Sequence, residues 1–156
     1  MGSTSDLPVM EKACKFLNDM QIPFEVNALS AHRTPAAAEA FASSASEKGF
    51  GVIIAAAGKA AHLGGVLAAY TILPVIGVPI KTSMMGGLDS LLSMVQMPKG
   101  VPVACVAVDG AENAAVLAAQ MLALGDLSLN QELSKYKAQM DADVTAKDEK
   151  VRAQYV

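Results

Sequence analysis

His32 and Arg33 are neighbours in the segment 30–35, which reads Ser-Ala-His-Arg-Thr-Pro. A histidine side chain exchanges protons near neutral pH, and an arginine holds a carboxylate or a phosphate through paired hydrogen bonds. Together the two residues indicate proton-transfer chemistry on an anionic small molecule. The alternative is a solvated turn pair without a chemical role, and the hexapeptide alone leaves both readings open.

The flanking residues predict that this segment is a strand-to-helix turn. Residues 24–29 form an alternating apolar run of the kind found in strands. Thr34 and Pro35 suit the N-cap and the first position of an alanine-rich helix. That helix is predicted to run to about Lys48 and to end at Gly49. Open α/β sheets bind their ligands in turns of this kind, at the carboxyl ends of the strands.

The first residues of the chain form a second loop with ligand-binding potential. The segment 1–6 reads Met-Gly-Ser-Thr-Ser-Asp and leads into a predicted helix. Backbone N–H groups at the start of a helix, with hydroxyl side chains beside them, make a suitable seat for a phosphate. Ordinary capping of the helix by Ser5 or Asp6 is the alternative interpretation.

A third loop follows the apolar strand predicted at residues 52–57. The segment 58–65 reads Gly-Lys-Ala-Ala-His-Leu-Gly-Gly, and its small residues allow close approach of a ligand to the backbone. His62 is a candidate second titrating group, or a structural histidine bonded to backbone. Lys59 is a candidate partner for a phosphate or a carboxylate, or an ordinary surface lysine.

The remaining pattern alternates short buried strands with helices and therefore predicts a parallel sheet covered by helices on both faces. A fold of this type normally has an apolar strand just before its first glycine-serine loop, and no residue precedes Met1 in this sequence. Either residues outside this sequence supply that strand, or the sheet has one strand fewer. Further strands are expected at residues 74–78 and 101–108, and further helices at 66–70, 88–97, 112–124 and 130–156.

Composition limits the class of protein and its partners. A chain of 156 residues suits one domain, here an α/β core at 1–125 with a C-terminal helical extension at 126–156. With 53% hydrophobic residues and an apolar helix face late in the chain, we expect a homo-oligomer, whose C-terminal helix reaches a neighbouring subunit. A frayed, solvated tail is the alternative.

Several partners and locations are not expected. The net charge of −3 and the lack of a basic stripe argue against nucleic acid. Cys14 and Cys105 are far apart and outside any CxxC motif, so neither a zinc site nor a disulfide is indicated. No apolar run approaches the ~18 residues of a membrane helix, and the N-terminus has no signal-peptide pattern, so we expect a cytoplasmic protein.

Four segments in order resemble the successive motifs of the bacterial carboxyaminoimidazole ribonucleotide mutases of purine biosynthesis, the class I PurE family. They are residues 1–6, 30–35, 57–63 and 87–98, and the resemblance extends to about Leu124. The family usually has a glycine at the position of Lys59 and a proline at the position of Gly64. The resemblance implies a flavodoxin-like, three-layer αβα subunit with a long C-terminal helix, assembled into an octamer without metal or cofactor.

The resemblance also implies a reaction and a site. The substrate would be aminoimidazole ribonucleotide with CO2 on its exocyclic nitrogen, and the product would have the carboxylate on ring carbon C4. His32 would be the general acid and base, and Arg33 would hold the phosphate. Ser3, Ser5 and Asp6 would hold the ribose and phosphate, with Ser30 and Arg33 beside them. Gly58, Ala60 and Leu63 would line the pocket for the base and its carboxylate, and His62 would be a further substrate-binding residue.

Two other functions stay open from the sequence. A related enzyme that carboxylates aminoimidazole ribonucleotide directly with CO2 would share the fold and the first histidine, but that branch lacks the Ala-Ala-His segment present at 60–62. A nucleotide-binding or purely assembling α/β module without catalysis is the other alternative, expected if the absence of the strand before Met1 has destroyed the pocket.

Overall fold

Three parallel strands form the sheet in the computed structural model, which describes residues 1–155. They are β1 (Ile53–Ala57), β2 (Val75–Pro79) and β3 (Ala104–Cys105), in the spatial order β1-β2-β3. β1 is aligned residue by residue with β2, beginning at the pair Ile53 and Val75. Because each crossover between parallel strands needs a helix, the strands alternate with helices along the chain. The helices are α1 (Leu7–Asp19), α2 (Pro35–Ala45), α3 (Leu63–Ala69), α4 (Leu88–Val95), α5 (Ala111–Leu122) and α6 (Leu127–Tyr155).

Helices cover both faces of the sheet, which explains why its strands are apolar throughout. Every residue of β2 is buried, and in β1 only Ile54 is partly exposed. On one face, α1 and α5 pack apolar residues such as Phe16 and Ala115 against the sheet. On the other face, α2 and α3 do so with residues such as Ala42 and Leu67. The predicted three-layer αβα, flavodoxin-like class is therefore confirmed.

The strand predicted at residues 24–29 is wrong. This segment forms no strand, and two hydrogen bonds join its backbone to Met1. The Met1 ammonium donates to the Asn27 carbonyl at 2.8 Å, and the Leu29 N–H donates to the Met1 carbonyl at 2.8 Å. A strand needs a continuous ladder of such bonds, and the alternation of its side chains does not supply one.

The strand predicted at residues 101–108 is wrong in its extent, since only Ala104–Cys105 pair regularly with β2. Beyond them the ladder loses its register. The N–H of Val106 donates to the Gly77 carbonyl, whereas the next bond joins the Asp109 N–H to the Pro79 carbonyl. Three residues of this segment therefore advance alongside two residues of β2, as in a β-bulge.

The helices were predicted in the correct order, with shifted ends. α3 begins at Leu63 instead of Val66 and ends at Ala69, and α5 begins one residue earlier than expected. The long C-terminal helix is confirmed as far as Tyr155, and Val156 lies outside the described residues. It contacts the rest of the chain near its start, where the Tyr136 ring meets the Phe16 ring edge-on at 5.2 Å.

Candidate active site

Three loops meet beyond the carboxyl end of β1 and enclose a cavity of about 370 Å³. The loop 1–6 is joined to β1 by a hydrogen bond from the Gly2 N–H to the Ala56 carbonyl at 2.9 Å. The bond between Leu29 and Met1 brings the turn 30–35 next to it. Because β1 itself continues into the third loop, all three motifs predicted from the sequence come together. The cavity is lined by Gly2, Ser3, Ser30, Ala31, His32, Arg33, Ala57, Gly58, Lys59, Ala60 and Leu63.

Ser3 caps the loop 1–6, and Ser5 and Asp6 hold that loop in shape. The Ser3 hydroxyl accepts a hydrogen bond from the Ser5 N–H, and the Asp6 carboxylate accepts one from the Ser3 N–H, which is a reciprocal capping box. Asp6 is buried at 6% exposure, and neither Ser5 nor Asp6 lines the cavity. Asp6, one of the two expected caps, stands at the N-cap position of α1, but its side chain does not cap that helix. The side-chain cap is Ser3, at the start of a short 3-10 turn (Thr4–Asp6) that precedes α1.

The turn 30–35 is closed by hydrogen bonds of its own hydroxyl groups. The Ser30 hydroxyl accepts from the N–H of Arg33 at 3.2 Å and from its Nε at 3.4 Å. Thr34 stands at the N-cap position of α2 as predicted, but its hydroxyl accepts from the Ser30 N–H instead of capping the helix. No ion pair within residues 1–155 involves Arg33, so its guanidinium can receive an anionic ligand.

His32 and His62 are hydrogen-bonded to each other. The Nε2 atom of His32 lies 3.0 Å from the Nδ1 atom of His62, and the rings meet edge-on with their centres 5.2 Å apart. One nitrogen must donate and the other accept, so two doubly protonated rings cannot form this bond. His62 is at the N-cap position of α3 and does not line the cavity, which it reaches only through His32. The pair can hold and relay a proton at the cavity wall.

Helix α4 fixes the third loop through two serines whose contacts the sequence did not reveal. The Lys59 N–H donates to the Ser90 hydroxyl at 2.9 Å, and the Ser93 hydroxyl donates to the Lys59 carbonyl at 3.3 Å. Ser90 is fully buried. In the sequence, the signal for these contacts was the pair of serines three residues apart on a helix whose other residues, apart from Asp89, are apolar. Lys59 itself has a φ of 54°, a left-handed conformation that glycine adopts without strain.

Within residues 1–155 there is no group of three or more histidine, cysteine or acidic side chains placed to hold a metal ion. None of the helices in the same range is both long and apolar enough to cross a bilayer.

The fold and the site together define an α/β protein with a cavity at the carboxyl end of a parallel strand, lined by an arginine and by one histidine of a hydrogen-bonded pair. The family described as AIR carboxylase matches residues 1–143, and the chain belongs to that family. The resemblance seen in the sequence motifs is thereby confirmed.

Relatives and solved structures are similar over most of the chain. The chain is 55% identical to the N5-carboxyaminoimidazole ribonucleotide mutase of Pyrococcus abyssi over 140 residues. This aligned region covers 90% of the chain and 80% of that protein. It is 52% identical over 151 residues to the phosphoribosylaminoimidazole carboxylase of Saccharomyces cerevisiae, covering 97% of the chain and 26% of that protein. The crystal structure of Treponema denticola PurE superposes with a TM-score of 0.85 at 25% identity, covering 96% of this chain and 94% of that one.

Proposed function

We propose that this protein is an isomerase of de novo purine biosynthesis that moves the carboxylate of N5-carboxyaminoimidazole ribonucleotide to ring carbon C4. The observation that carries the proposal is His32, which lines a cavity built from all three motif loops and is hydrogen-bonded to His62. The similarity to proteins named as this mutase, at 50% to 55% identity in Thermotoga maritima and Pyrococcus abyssi, supports the same reaction.

The phosphate and ribose of the substrate bind at the end of the cavity formed by Ser3, Ser30 and Arg33. Arg33 supplies the positive charge, and its Nε is already oriented by the Ser30 hydroxyl. Ser5 and Asp6 act through Ser3, since their side chains bond within the loop instead of lining the cavity. This arrangement needs no metal and no cofactor.

The base and the migrating carboxylate occupy the end formed by Gly58, Ala60 and Leu63. These side chains are small or apolar, so they leave room for the imidazole ring and for one CO2 molecule. Retaining CO2 beside the ring replaces a bimolecular carboxylation with a local one. The small volume of the cavity, about 370 Å³, supports this role.

His32 carries the single proton that the isomerisation moves. When the bond between the exocyclic nitrogen and the carboxylate breaks, its electron pair returns to nitrogen and His32 donates a proton there. Ring carbon C4 then bonds to the released CO2, and His32 takes back the proton that C4 loses. One proton is given and one is recovered, so the reaction is balanced. His62 keeps the His32 ring oriented between the two steps through their 3.0 Å hydrogen bond.

An ultraviolet assay with two substrates in parallel tests the reaction. We expect rapid conversion of N5-carboxyaminoimidazole ribonucleotide and slow reaction of aminoimidazole ribonucleotide with bicarbonate. The reverse preference would instead assign direct carboxylation, the activity in the name of the yeast relative. His32→Asn should lose at least ~10³-fold in kcat and still bind aminoimidazole ribonucleotide in a thermal-shift experiment. An active His32→Asn variant would refute the proposed role, and binding by the parent protein without turnover in either assay would indicate a non-catalytic module.

The protein also acts as a cytoplasmic homo-oligomer, with an octamer as the expected assembly. Large apolar side chains remain exposed on α4 and α6, including Leu92, Val95 and Val144. In this arrangement residues 1–125 form the α/β core of one domain and residues 126–156 are its helical extension. Light scattering coupled to size-exclusion chromatography tests the assembly, and a monomer at micromolar concentration would contradict it.

A further inference from the structure

Lys59 is a second cation, besides Arg33, that lines the cavity at the carboxyl end of β1. Neither side chain takes part in an ion pair within residues 1–155. No aspartate or glutamate of this part of the chain lines the cavity. Two positive charges that share one small cavity repel each other, so the cavity favours a ligand with negative charge at two points.

The two cations lie on different loops. Arg33 belongs to the turn 30–35, where its Nε is oriented by the Ser30 hydroxyl at 3.4 Å. Lys59 lies between Gly58 and Ala60, which also line the cavity and border the imidazole and its carboxylate in the proposed function. The proposed substrate has a phosphate at one end and a carboxylate at the other. Each of its anionic groups therefore has one cation available.

The backbone of Lys59 has a conformation that lysine rarely adopts. Among residues 1–155, four non-glycine residues have a positive φ, and Lys59 is the one of these that lines the cavity. Its N–H donates to the buried Ser90 hydroxyl at 2.9 Å, and its carbonyl accepts from the Ser93 hydroxyl at 3.3 Å. Glycine would relieve the strain at this position but would supply no charge. Strain of this kind at a cavity wall indicates that the side chain has a function.

We infer that the Lys59 ammonium binds the carboxylate that the reaction moves, and so distinguishes carboxylated nucleotides from aminoimidazole ribonucleotide. The inference rests on the proposed function and adds one substrate-binding residue to it. An ammonium group is a point charge on a flexible stem. It can therefore follow the carboxylate from the exocyclic nitrogen to the neighbouring ring carbon while the phosphate stays on Arg33.

The charge that Lys59 binds disappears and returns during the reaction. When the bond between nitrogen and the carboxylate breaks, its electron pair goes to nitrogen, and the released CO2 has no net charge. When C4 bonds to CO2, the ring supplies the electron pair, and negative charge returns to the carboxylate oxygens beside the ammonium. Lys59 therefore favours recapture of CO2 over its escape.

Binding of two nucleotides that differ in the carboxylate tests the inference. The proposed product has the carboxylate on C4, and aminoimidazole ribonucleotide lacks it. Calorimetric titrations in the His32→Asn background avoid turnover. Because Lys59 is exposed, water screens part of the attraction, and Lys59→Met should weaken binding of the product by about 3- to 10-fold. Binding of aminoimidazole ribonucleotide should change less than about twofold, whereas Arg33→Met should weaken both nucleotides alike.

Three control variants separate charge from backbone effects. Lys59→Arg keeps the positive charge and should retain most of the preference for the product. Lys99→Met removes a charge from an exposed lysine that does not line the cavity, and it should change neither affinity. Lys59→Gly relieves the backbone strain, so its Tm should stay within ~3 °C of the parent value or rise. It should nevertheless lose the preference for the product as Lys59→Met does.

Turnover gives a second readout in the protein that retains His32. Lys59→Met should release about 3-fold or more aminoimidazole ribonucleotide per product formed, after subtraction of the spontaneous loss of CO2. An unchanged ratio of the two affinities in Lys59→Met would overturn the inference. An equal loss for both nucleotides would also overturn it, because Lys59 would then bind the phosphate or act structurally. Failure of the parent protein in both ultraviolet assays would instead overturn the proposed function, and the affinity ratio would still report whether Lys59 binds the carboxylate.

Discussion

Replacement of His62 by phenylalanine should slow the reaction without weakening substrate binding. Phenylalanine keeps a ring that can meet His32 edge-on, as His62 does at 5.2 Å and 80°, but it removes the 3.0 Å hydrogen bond that orients the His32 ring. A hydrogen bond of this kind contributes about 1–2 kcal/mol. If that energy serves to hold His32 in its reactive orientation, its loss lowers kcat by about 5- to 30-fold.

The ultraviolet mutase assay measures this effect, with three comparisons that separate orientation from folding. The Tm of His62→Phe should stay within ~3 °C of the parent value, since both histidines are exposed. KM should change less than twofold, because His62 does not line the cavity. His62→Asn retains a hydrogen-bonding amide and should recover part of kcat.

A double-mutant cycle completes the test. Once His32 is replaced by asparagine there is no catalytic ring to orient, so adding His62→Phe to His32→Asn should cost nothing further. A kcat for His62→Phe within twofold of the parent value would refute the orienting role. So would a full additional loss in the double variant, which would indicate that His62 acts on the substrate independently.

Three further predictions concern binding, backbone and pH. Arg33→Met should raise KM about 10- to 100-fold in the mutase assay, since it removes the charge expected to meet the phosphate; an unchanged KM would place the phosphate elsewhere. Gly87→Ala should lower the free energy of unfolding by about 2 kcal/mol in urea titrations, because φ at Gly87 is 101° and the new Cβ would lie 2.8 Å from Val108 Cγ1. Gly86→Ala is the matched control, since the space around Gly86 is open, and it should lower the free energy of unfolding by less. Burial lowers the pKa of the Met1 ammonium in the folded protein. At a pH just below the ordinary pKa of this group, about 8, the unfolded chain therefore binds more protons than the folded protein does. Stability should therefore rise with pH up to about 8 and then level off, and N-terminal acetylation should remove this component; equal pH profiles for both forms would contradict it.

The sequence predicted the helices and site loops well because their signals are local. Pro35 and the alanines after it specify the start of α2. The small residues at 58–65 predict a loop whatever the surrounding fold. The carboxyl ends of parallel strands lie on one edge of a sheet, so the three motifs could be expected to meet. The structure brings most of their residues to one cavity.

Contacts between distant residues were not predictable in the same way. The strand expected at 24–29 depends on a partner ladder that its own side chains do not reveal, and the bulge after β3 depends on the register with β2. His32 and His62 are 30 positions apart, and Lys59 and Ser90 are 31 apart. No local pattern specifies such pairs, because tertiary packing determines them.

If the protein assembles as proposed, the length of α6 makes helical content a measure of that assembly. Its 29 residues extend about 43 Å at 1.5 Å per residue, and none of them is buried within the subunit. An isolated helix with so little intramolecular packing is marginal in water, so in the proposed oligomer contacts with neighbouring copies would supply most of its stability. Ellipticity at 222 nm should therefore fall as the protein is diluted, in step with dissociation and before the α/β core unfolds.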